Sequence, residues 1–252
     1  LIPIPTFGEY EAASRLSNSR ITFFKTMNLN KNTSELQDLI TKTNCIFVCN
    51  PNNPTGILIS KNNLLKILES AYNKSAFVFL DECFIELVPD LNESLVHYLK
   101  EFDNLFILRS LTKSFGLAGL RIGYGLGNKK VIDVLQRVKI PWNVNGLAQV
   151  AAIEALSNVS HLRKTRKLIK KELKFLKDSI SKINGFTCYD SSTNFILIKS
   201  RMNSKKIQEK LIAKKILIRD CSNFRGLDNK FIRVAVRTHK ENVKLIRVLE
   251  AI

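Results

Sequence analysis

The sequence predicts an α/β protein with a large domain on a mostly parallel sheet and a small α+β domain at its carboxyl end. Two observations carry this prediction. Short apolar, β-rich runs alternate with helical segments in the first part of the chain, and a long helix then precedes a second group of short strands and helices. At 252 residues the chain can hold both domains, which we expect at 1–159 and 160–252.

In the first part, residues 45–49, 77–80 and 105–108 are predicted to be buried strands. A helix is expected between the first two, because Leu64, Leu65, Ile67 and Leu68 recur at helical spacing after Ser60, a residue that can cap a helix. Residues 95–102 connect the second strand to the third, and residues 121–127 are expected to form a further strand. Strand–helix–strand repetition indicates a sheet with helices on both faces.

The second part contains more helix. The predicted helices span 129–139, 145–156, 160–183, 205–214 and 240–252, and the predicted strands span 194–199, 216–219 and 231–236. We expect the helix over 160–183 to connect the two domains.

The formal net charge of +18 raises the possibility of a nucleic-acid partner. The densest basic stretch lies at 163–171, but apolar residues such as Ile169, Leu173 and Leu176 recur around it at helical spacing. The lysines then fall on the solvated face of a helix, which we favour over a nucleic-acid interface. A milder interpretation is attraction of anionic, phosphorylated ligands.

Other patterns narrow the class of protein. The five cysteines form no C-x-x-C pair and the three histidines are scattered, so we expect no metal site and a reducing, cytoplasmic setting. No apolar run approaches the ~20 residues of a membrane helix. The chain opens as if in mid-strand without an initiator Met, which suggests that an N-terminal part is absent.

Three polar clusters follow the three predicted parallel strands. They contain Asn53, Asp81 and Lys113, respectively. Ligands of open α/β sheets bind outside the carboxyl ends of the strands, so these side chains converge on one crevice if the strands are neighbours. Each alone is weak evidence, since an Asp can cap a helix and a Lys is usually a surface charge.

Together these residues suit an aldehyde cofactor on a pyridine ring. Lys113 could form a Schiff base, and Asp81 could keep the ring nitrogen protonated so that the ring accepts electrons. Asn53 could bind the phenolic oxygen of the ring, while Ser110 and Arg121 could bind the cofactor phosphate.

The motifs at 50–56 (NPNNPTG), 81–82 (DE) and 110–124 (SLTKSFGLAGLRIGY) resemble the fold-type I, class I/II aminotransferases over essentially the whole chain. The resemblance implies an aspartate-aminotransferase-like fold and pyridoxal 5'-phosphate (PLP) as the cofactor. It also implies that Lys113 carries PLP. The other residues expected at the cofactor are Phe7, which would stack on the ring, Asn53, Asp81, Phe84, Ser110, Thr112 and Arg121.

Within the family, two branches compete: threonine-phosphate decarboxylase of cobalamin biosynthesis and histidinol-phosphate aminotransferase. Phe84 stands where most aminotransferases have a tyrosine, and residues 218–237 resemble the decarboxylase, so decarboxylation of L-threonine O-3-phosphate is our first expectation. Alternatively, Phe84 is an aromatic residue of the core with no role at the cofactor. The residues expected at the small phosphorylated, amino-acid-like substrate are Arg219, Arg225, Arg233 and Arg237.

The resemblance also implies a homodimer, since the family's sites lie at a subunit interface. The family's glycine-containing phosphate loop and N-terminal arm precede the residue at which this chain begins. An inactive fragment is therefore a third possibility, although the intact Asn53, Asp81, Lys113 and Arg121 argue against a decayed enzyme.

Overall fold

The computed structural model describes residues 1–89 and 91–252. The strands in the described residues are β1 (Ile2–Ile4), β2 (Phe23–Lys25), β3 (Cys45–Cys49), β4 (Phe77–Asp81), β5 (Leu105–Ser110), β6 (Gly123–Gly127), β7 (Phe186–Cys188), β8 (Phe195–Ser200), β9 (Arg219–Asp220) and β10 (Phe231–Ala235).

The helices are α1 (Glu9–Leu16), α2 (Thr33–Leu39), α3 (Lys61–Asn73), α4 (Leu111–Ser114), α5 (Lys129–Val138), α6 (Gly146–Ser157), α7 (Val159–Ile180), α8 (Ser204–Ala213) and α9 (His239–Glu250). Short 3-10 segments lie at Ile40–Lys42, Ile85–Leu87, Leu91–Glu93, Val96–Lys100 and Ala118–Leu120.

The first large sheet has the order β3-β4-β5-β6, with β3, β4 and β5 parallel and β6 antiparallel to β5. The expected mostly parallel sheet is thus confirmed. Ile46, Leu80 and Ile107, one from each parallel strand, are fully buried together with Leu68 of α3. Burying each such side chain stabilises the fold by ~1.5–3 kcal/mol.

Helix α3 follows its sequence signal closely. The Ser60 hydroxyl accepts a hydrogen bond from the Asn63 amide at 3.4 Å, which caps the first turn. Leu64, Ile67 and Leu68 are buried at the spacing of one helical face, so α3 packs against the sheet.

A second, four-stranded antiparallel sheet has the order β7-β8-β10-β9. Its core includes Ile198 of β8, Ile232 of β10, Leu176 of α7 and Leu249 of α9. Helix α7 also contacts the 3-10 segment that follows β4, since Arg166 Nε donates a hydrogen bond to the Glu86 carbonyl at 2.7 Å. The division at 159/160 stays a proposal.

Helix α7 also carries the basic stretch. Ile169 and Leu176 are buried, whereas Lys164, Lys167 and Lys170 are exposed, so the predicted solvated face is confirmed. Within residues 1–89 and 91–252, no helix combines the length and apolarity needed to cross a membrane.

Two strand predictions shift in the structure. The strand expected at 121–127 begins only at Gly123, because Arg121 adopts a left-handed backbone with a φ of +54°. The strand expected at 216–219 is a short one at Arg219–Asp220, where the chain pairs with β10.

Candidate active site

The three predicted polar clusters meet at one edge of the first sheet. Cys49, at the end of β3, is in register with Asp81, at the end of β4, and Asp81 is in register with Leu108 of β5. The strands are therefore neighbours, as the convergence argument required. The loop containing Asn53, the Asp81 carboxylate and the turn containing Lys113 all lie at this edge.

Asp81 is buried, with 6% of its surface exposed. Its Oδ1 accepts a hydrogen bond from the Cys83 amide at 2.9 Å, and its Oδ2 accepts one from the Tyr10 hydroxyl at 2.6 Å. The carboxylate is thus held in one orientation by two donors. The sequence argument missed Tyr10, which lies three residues after Phe7 at the start of α1.

Lys113 lies in the single-turn helix α4, which Ser110 caps. The Lys113 Nζ donates to Thr112 Oγ1 at 2.6 Å, and Thr112 Oγ1 lies 2.8 Å from Ser110 Oγ. The same Nζ is 5.9 Å from the centroid of the Phe84 ring. Lys113 is exposed, and no carboxylate within residues 1–89 and 91–252 pairs with it. Its amine is therefore accessible for chemistry.

Asn53 meets a residue of the second sheet. Arg233 Nη1 donates to Asn53 Oδ1, and the Arg233 guanidinium carbon lies 4.6 Å from the centroid of the Phe195 ring. Burial, and then the positive charge of Arg219, lower the pKa of Arg233, which nevertheless stays charged as guanidinium groups do. Phe195 is a second residue that the sequence argument did not identify.

Phe84 is 9% exposed and packs edge-on against Phe195, with ring centroids 5.2 Å apart. Ile169 and Leu87 complete this apolar cluster. Phe84 is therefore packed as an aromatic residue of the core. It also lies close enough to Lys113 to form part of the wall of the candidate site.

Two further residues that the sequence predicts at the cofactor lie at the surface. Phe7 is 42% exposed and contacts Tyr10 edge-on, with ring centroids 5.8 Å apart. Arg121 is exposed, and its Nη1 donates to the Ala118 carbonyl at 3.0 Å.

The predicted substrate arginines separate into two groups. A cavity of about 720 Å³ has Phe7, Asn53, Arg219, Arg225 and Arg233 in its wall. Arg225 also forms a bidentate pair with Glu11 through Nε and Nη2, at 2.7 and 2.8 Å.

Arg237 is engaged elsewhere. Its Nε and Nη2 donate to Glu241 at 3.1 and 2.7 Å, on the exposed first turn of α9. The substrate role expected for Arg237 from the sequence stays a prediction, and its guanidinium is already paired.

A buried polar network supports the turn that carries Lys113. Ser114 Oγ donates to Glu86 Oε2, and Tyr124 OH donates to Glu86 Oε1 at 3.3 Å. Behind it, Arg109 Nη2 donates to Glu82 Oε2 at 2.8 Å. Both carboxylates follow Asp81 in the segment after β4. Glu82 is part of the DE motif at 81–82 but was assigned no role from the sequence, and Glu86 belongs to no motif that would have identified it.

The side chains at this edge fit PLP. Asp81 presents a buried carboxylate suited to a protonated ring nitrogen, Lys113 presents an accessible amine, and Asn53 presents an amide. Within the described parts of the chain, no group of three His, Cys, Asp or Glu side chains is arranged to hold a metal ion.

The comparisons of sequence and of structure find the same kinds of known protein. The sequence model of the family described as aminotransferase class I and II matches residues 1–252. The chain is 34% identical over 259 residues to histidinol-phosphate aminotransferase of Methanococcus aeolicus, covering 100% of this chain and 68% of that protein.

It is also 35% identical over 257 residues to a putative threonine-phosphate decarboxylase of Caldanaerobacter subterraneus subsp. tengcongensis, covering 100% of this chain and 70% of the relative. Among solved structures, histidinol-phosphate aminotransferase from Clostridium acetobutylicum superposes with a TM-score of 0.94 at 32% identity, covering 99% of this chain and 76% of that one.

Proposed function

Because this chain belongs to the class I and II aminotransferases, a family of PLP-dependent enzymes, we propose that it transfers the amino group of histidinol phosphate to an oxo acid. The observation that carries the proposal is the meeting of Asn53, Asp81 and Lys113 at the edge of the sheet beside an arginine-lined cavity. The relatives named above favour this reaction over the decarboxylation that the sequence put first.

PLP, when bound, supplies an aldehyde that condenses with amines and a ring that accepts an electron pair from the substrate. In our proposal, Lys113 would hold PLP through its Nζ. When that amine is free, Lys113 Nζ would act as the base that takes the proton from the substrate carbon, and as an ammonium group it would then act as the acid that delivers this proton to a different carbon, as amino-group transfer requires. Its contact with Thr112 Oγ1 keeps the amine near the reacting atoms.

Asp81 pairs with the ring nitrogen in this proposal, because a buried carboxylate stabilises a positive charge beside it. Asn53 binds the phenolic oxygen, and Phe7 stacks on the ring. Ser110, Thr112 and Arg121 bind the cofactor phosphate, for which the hydroxyls of the capped α4 turn provide donors.

Arg233 and Arg219 are assigned to the anionic group of the substrate. Both belong to the cavity wall, and no carboxylate among the described residues forms an ion pair with either. A planar guanidinium suits a phosphate or a carboxylate equally well. In this proposal the two guanidinium groups suit the phosphate of either histidinol phosphate or threonine phosphate.

A second candidate, decarboxylation of L-threonine O-3-phosphate, is favoured by Phe84. This residue offers no hydroxyl at the wall of the site, and the resemblance links phenylalanine here to the decarboxylase branch. The similarity to the putative decarboxylase of Caldanaerobacter also supports it. The cobalamin pathway belongs to this candidate alone.

The protein acts as a homodimer in this proposal, as the resemblance implies. Large apolar side chains that are near one another in sequence are exposed, which supports this part of the proposal: Ile140 is 77% exposed, Trp142 is 97% exposed and Leu147 on α6 is 79% exposed. Exposed apolar side chains are buried when they contribute to an interface between subunits. Light scattering of the purified protein measures its mass, which should be that of two chains; the mass of a single chain would contradict the homodimer.

The testing experiment is a product assay on the PLP-loaded protein made from its complete gene. Glutamate formed from histidinol phosphate and 2-oxoglutarate supports the aminotransferase. Carbon dioxide released from L-threonine O-3-phosphate alone supports the decarboxylase instead. Loss of either product in Lys113→Ala ties it to this site, and no product from either substrate contradicts both assignments.

A further inference from the structure

Tyr10 contacts both Asp81, which the proposed function pairs with the nitrogen of the cofactor ring, and Phe7, which it stacks on the face of that ring. Its hydroxyl donates to Asp81 Oδ2 at 2.6 Å, and its ring meets the Phe7 ring edge-on. The Tyr10 ring also stacks on Phe47 of β3, with centroids 5.4 Å apart and planes 16° apart. Tyr10 is only 6% exposed, so its position is fixed by packing.

The phenol can act only as a hydrogen-bond donor toward Asp81. Burial, followed by the neighbouring Cys49 thiol and the Asp81 carboxylate, raises the pKa of Tyr10 well above its usual value. Burial and then the Asp81 charge also raise the pKa of the Cys49 and Cys83 thiols, so both stay neutral. The Cys49 and Cys83 thiols beside Asp81 are therefore neutral. The Tyr10 hydroxyl donates a hydrogen bond to the Asp81 carboxylate.

A donor of this kind changes where a shared proton resides. A hydrogen bond to a carboxylate stabilises its charged form relative to its protonated form. Between a ring nitrogen and a buried carboxylate, the proton then stays on nitrogen, because the negative charge on the carboxylate is stabilised. Without the donor, the proton moves toward the carboxylate and the ring becomes a weaker electron acceptor.

We propose that Tyr10 is a positioning residue that keeps Asp81 negatively charged, and thereby keeps the ring nitrogen of bound PLP protonated. The inference rests on the proposed function, in which Asp81 pairs with that nitrogen. Tyr10 acts through Asp81 and through Phe7, which its ring supports from the side.

The test is ¹⁵N NMR of the full-length holoenzyme loaded with PLP labelled at the ring nitrogen. Tyr10→Phe retains the aromatic ring and removes only the hydroxyl. We expect the ring-nitrogen resonance to move toward the value of neutral pyridine. We also expect the dissociation constant of PLP, measured by equilibrium dialysis, to rise roughly ten-fold, since a hydrogen bond to a charged group contributes about 1.5 kcal/mol or more.

Two further variants complete the test. Replacing Tyr10 by 3-fluorotyrosine gives a stronger donor, so the resonance should move in the opposite direction even if Tyr10→Phe folds poorly. Tyr72→Phe, which removes the hydroxyl of a half-exposed tyrosine on α3, should leave both the resonance and PLP affinity unchanged.

Unchanged resonance and PLP affinity in Tyr10→Phe, with Asp81→Asn shifting the resonance, would overturn the inference and leave the proposed function intact. An Asp81→Asn protein with the wild-type resonance would instead overturn the pairing of Asp81 with the ring nitrogen, and with it this part of the proposed function.

Discussion

Arg233 on β10 donates a hydrogen bond to the side-chain oxygen of Asn53, a residue 180 positions earlier in the chain. This contact joins the second sheet to the loop after β3. It orients a substrate-binding candidate from one sheet against a cofactor-binding candidate from the other, so the site depends on both parts of the chain.

Arg233→Gln should raise the KM for the phosphorylated substrate and lower kcat/KM by at least about 30-fold, because a partly buried guanidinium contributes about 2 kcal/mol or more to binding an anion. Steady-state kinetics with varied substrate measure it. The matched control is Arg237→Gln, whose guanidinium is paired with Glu241. If KM rose equally in the control, Arg237 would bind the substrate as Arg233 does, despite its pairing with Glu241.

Phe84→Tyr should destabilise the PLP-free protein by about 1–3 kcal/mol, because the new hydroxyl enters the apolar cluster of Leu87, Ile169 and Phe195. If the hydroxyl reaches the cofactor's phenolic oxygen, PLP restores most of this loss. Urea unfolding with and without PLP measures both quantities. A variant as stable as the wild type without PLP would show that Phe84 faces open solvent or a polar partner.

Gly56→Ala should lower the free energy of unfolding by about 1–3 kcal/mol. Gly56 has a φ of +75°, and an added Cβ would lie 2.7 Å from Ser191 Cβ. The Gly56 carbonyl accepts a hydrogen bond from the Ser192 amide at 2.8 Å, so the change also disturbs the contact between the two sheets. Gly146→Ala, whose Cβ would meet no atom within 4 Å, is the control and should not destabilise.

The pair formed by Glu11 and Arg225 should contribute stability that depends on pH. Hydrogen bonds from Arg225 and then Arg15 lower the pKa of Glu11 to about 2, against a usual 4.5. Because the pKa is depressed in the folded state, the stabilisation is present above about pH 4.5 and is lost as pH falls toward 2.

A double-mutant cycle with Glu11→Gln and Arg225→Gln measures this term by urea unfolding. We expect a small favourable coupling at pH 7, as for other exposed pairs, which decreases as the pH falls through about 2. A coupling of the same size at pH 7 and below pH 2 would mean that the carboxylate charge is not its source.

The sequence predicted the parts of the fold whose residues show strong local patterns. Residues 45–49, 77–80 and 105–108, within β3, β4 and β5, are apolar because they are buried or half-buried on both faces of the sheet. Asn53, Asp81 and Lys113 lie at or shortly after the carboxyl ends of these strands. By contrast, β2 and β7 have three residues each, too few to show an alternating pattern.

The partners of the site residues were less accessible to sequence reasoning. In the sequence, Tyr10 and Phe195 resemble ordinary core aromatics. Tyr10 contacts Asp81, which is 71 positions away, and Phe195 on β8 contacts Arg233 on β10. The pairing of Arg225 with Glu11 likewise joins residues 214 positions apart. Such long-range geometry has no local signature.

The central claim is that Lys113 carries the cofactor, and borohydride reduction of the PLP-loaded protein followed by peptide mass spectrometry tests it most directly. We expect one stable pyridoxyl modification, on the peptide containing Lys113. In Lys113→Ala we expect neither this modification nor the visible absorbance. Modification of a different lysine in the wild-type protein, or an unchanged absorbance band in Lys113→Ala, would contradict it.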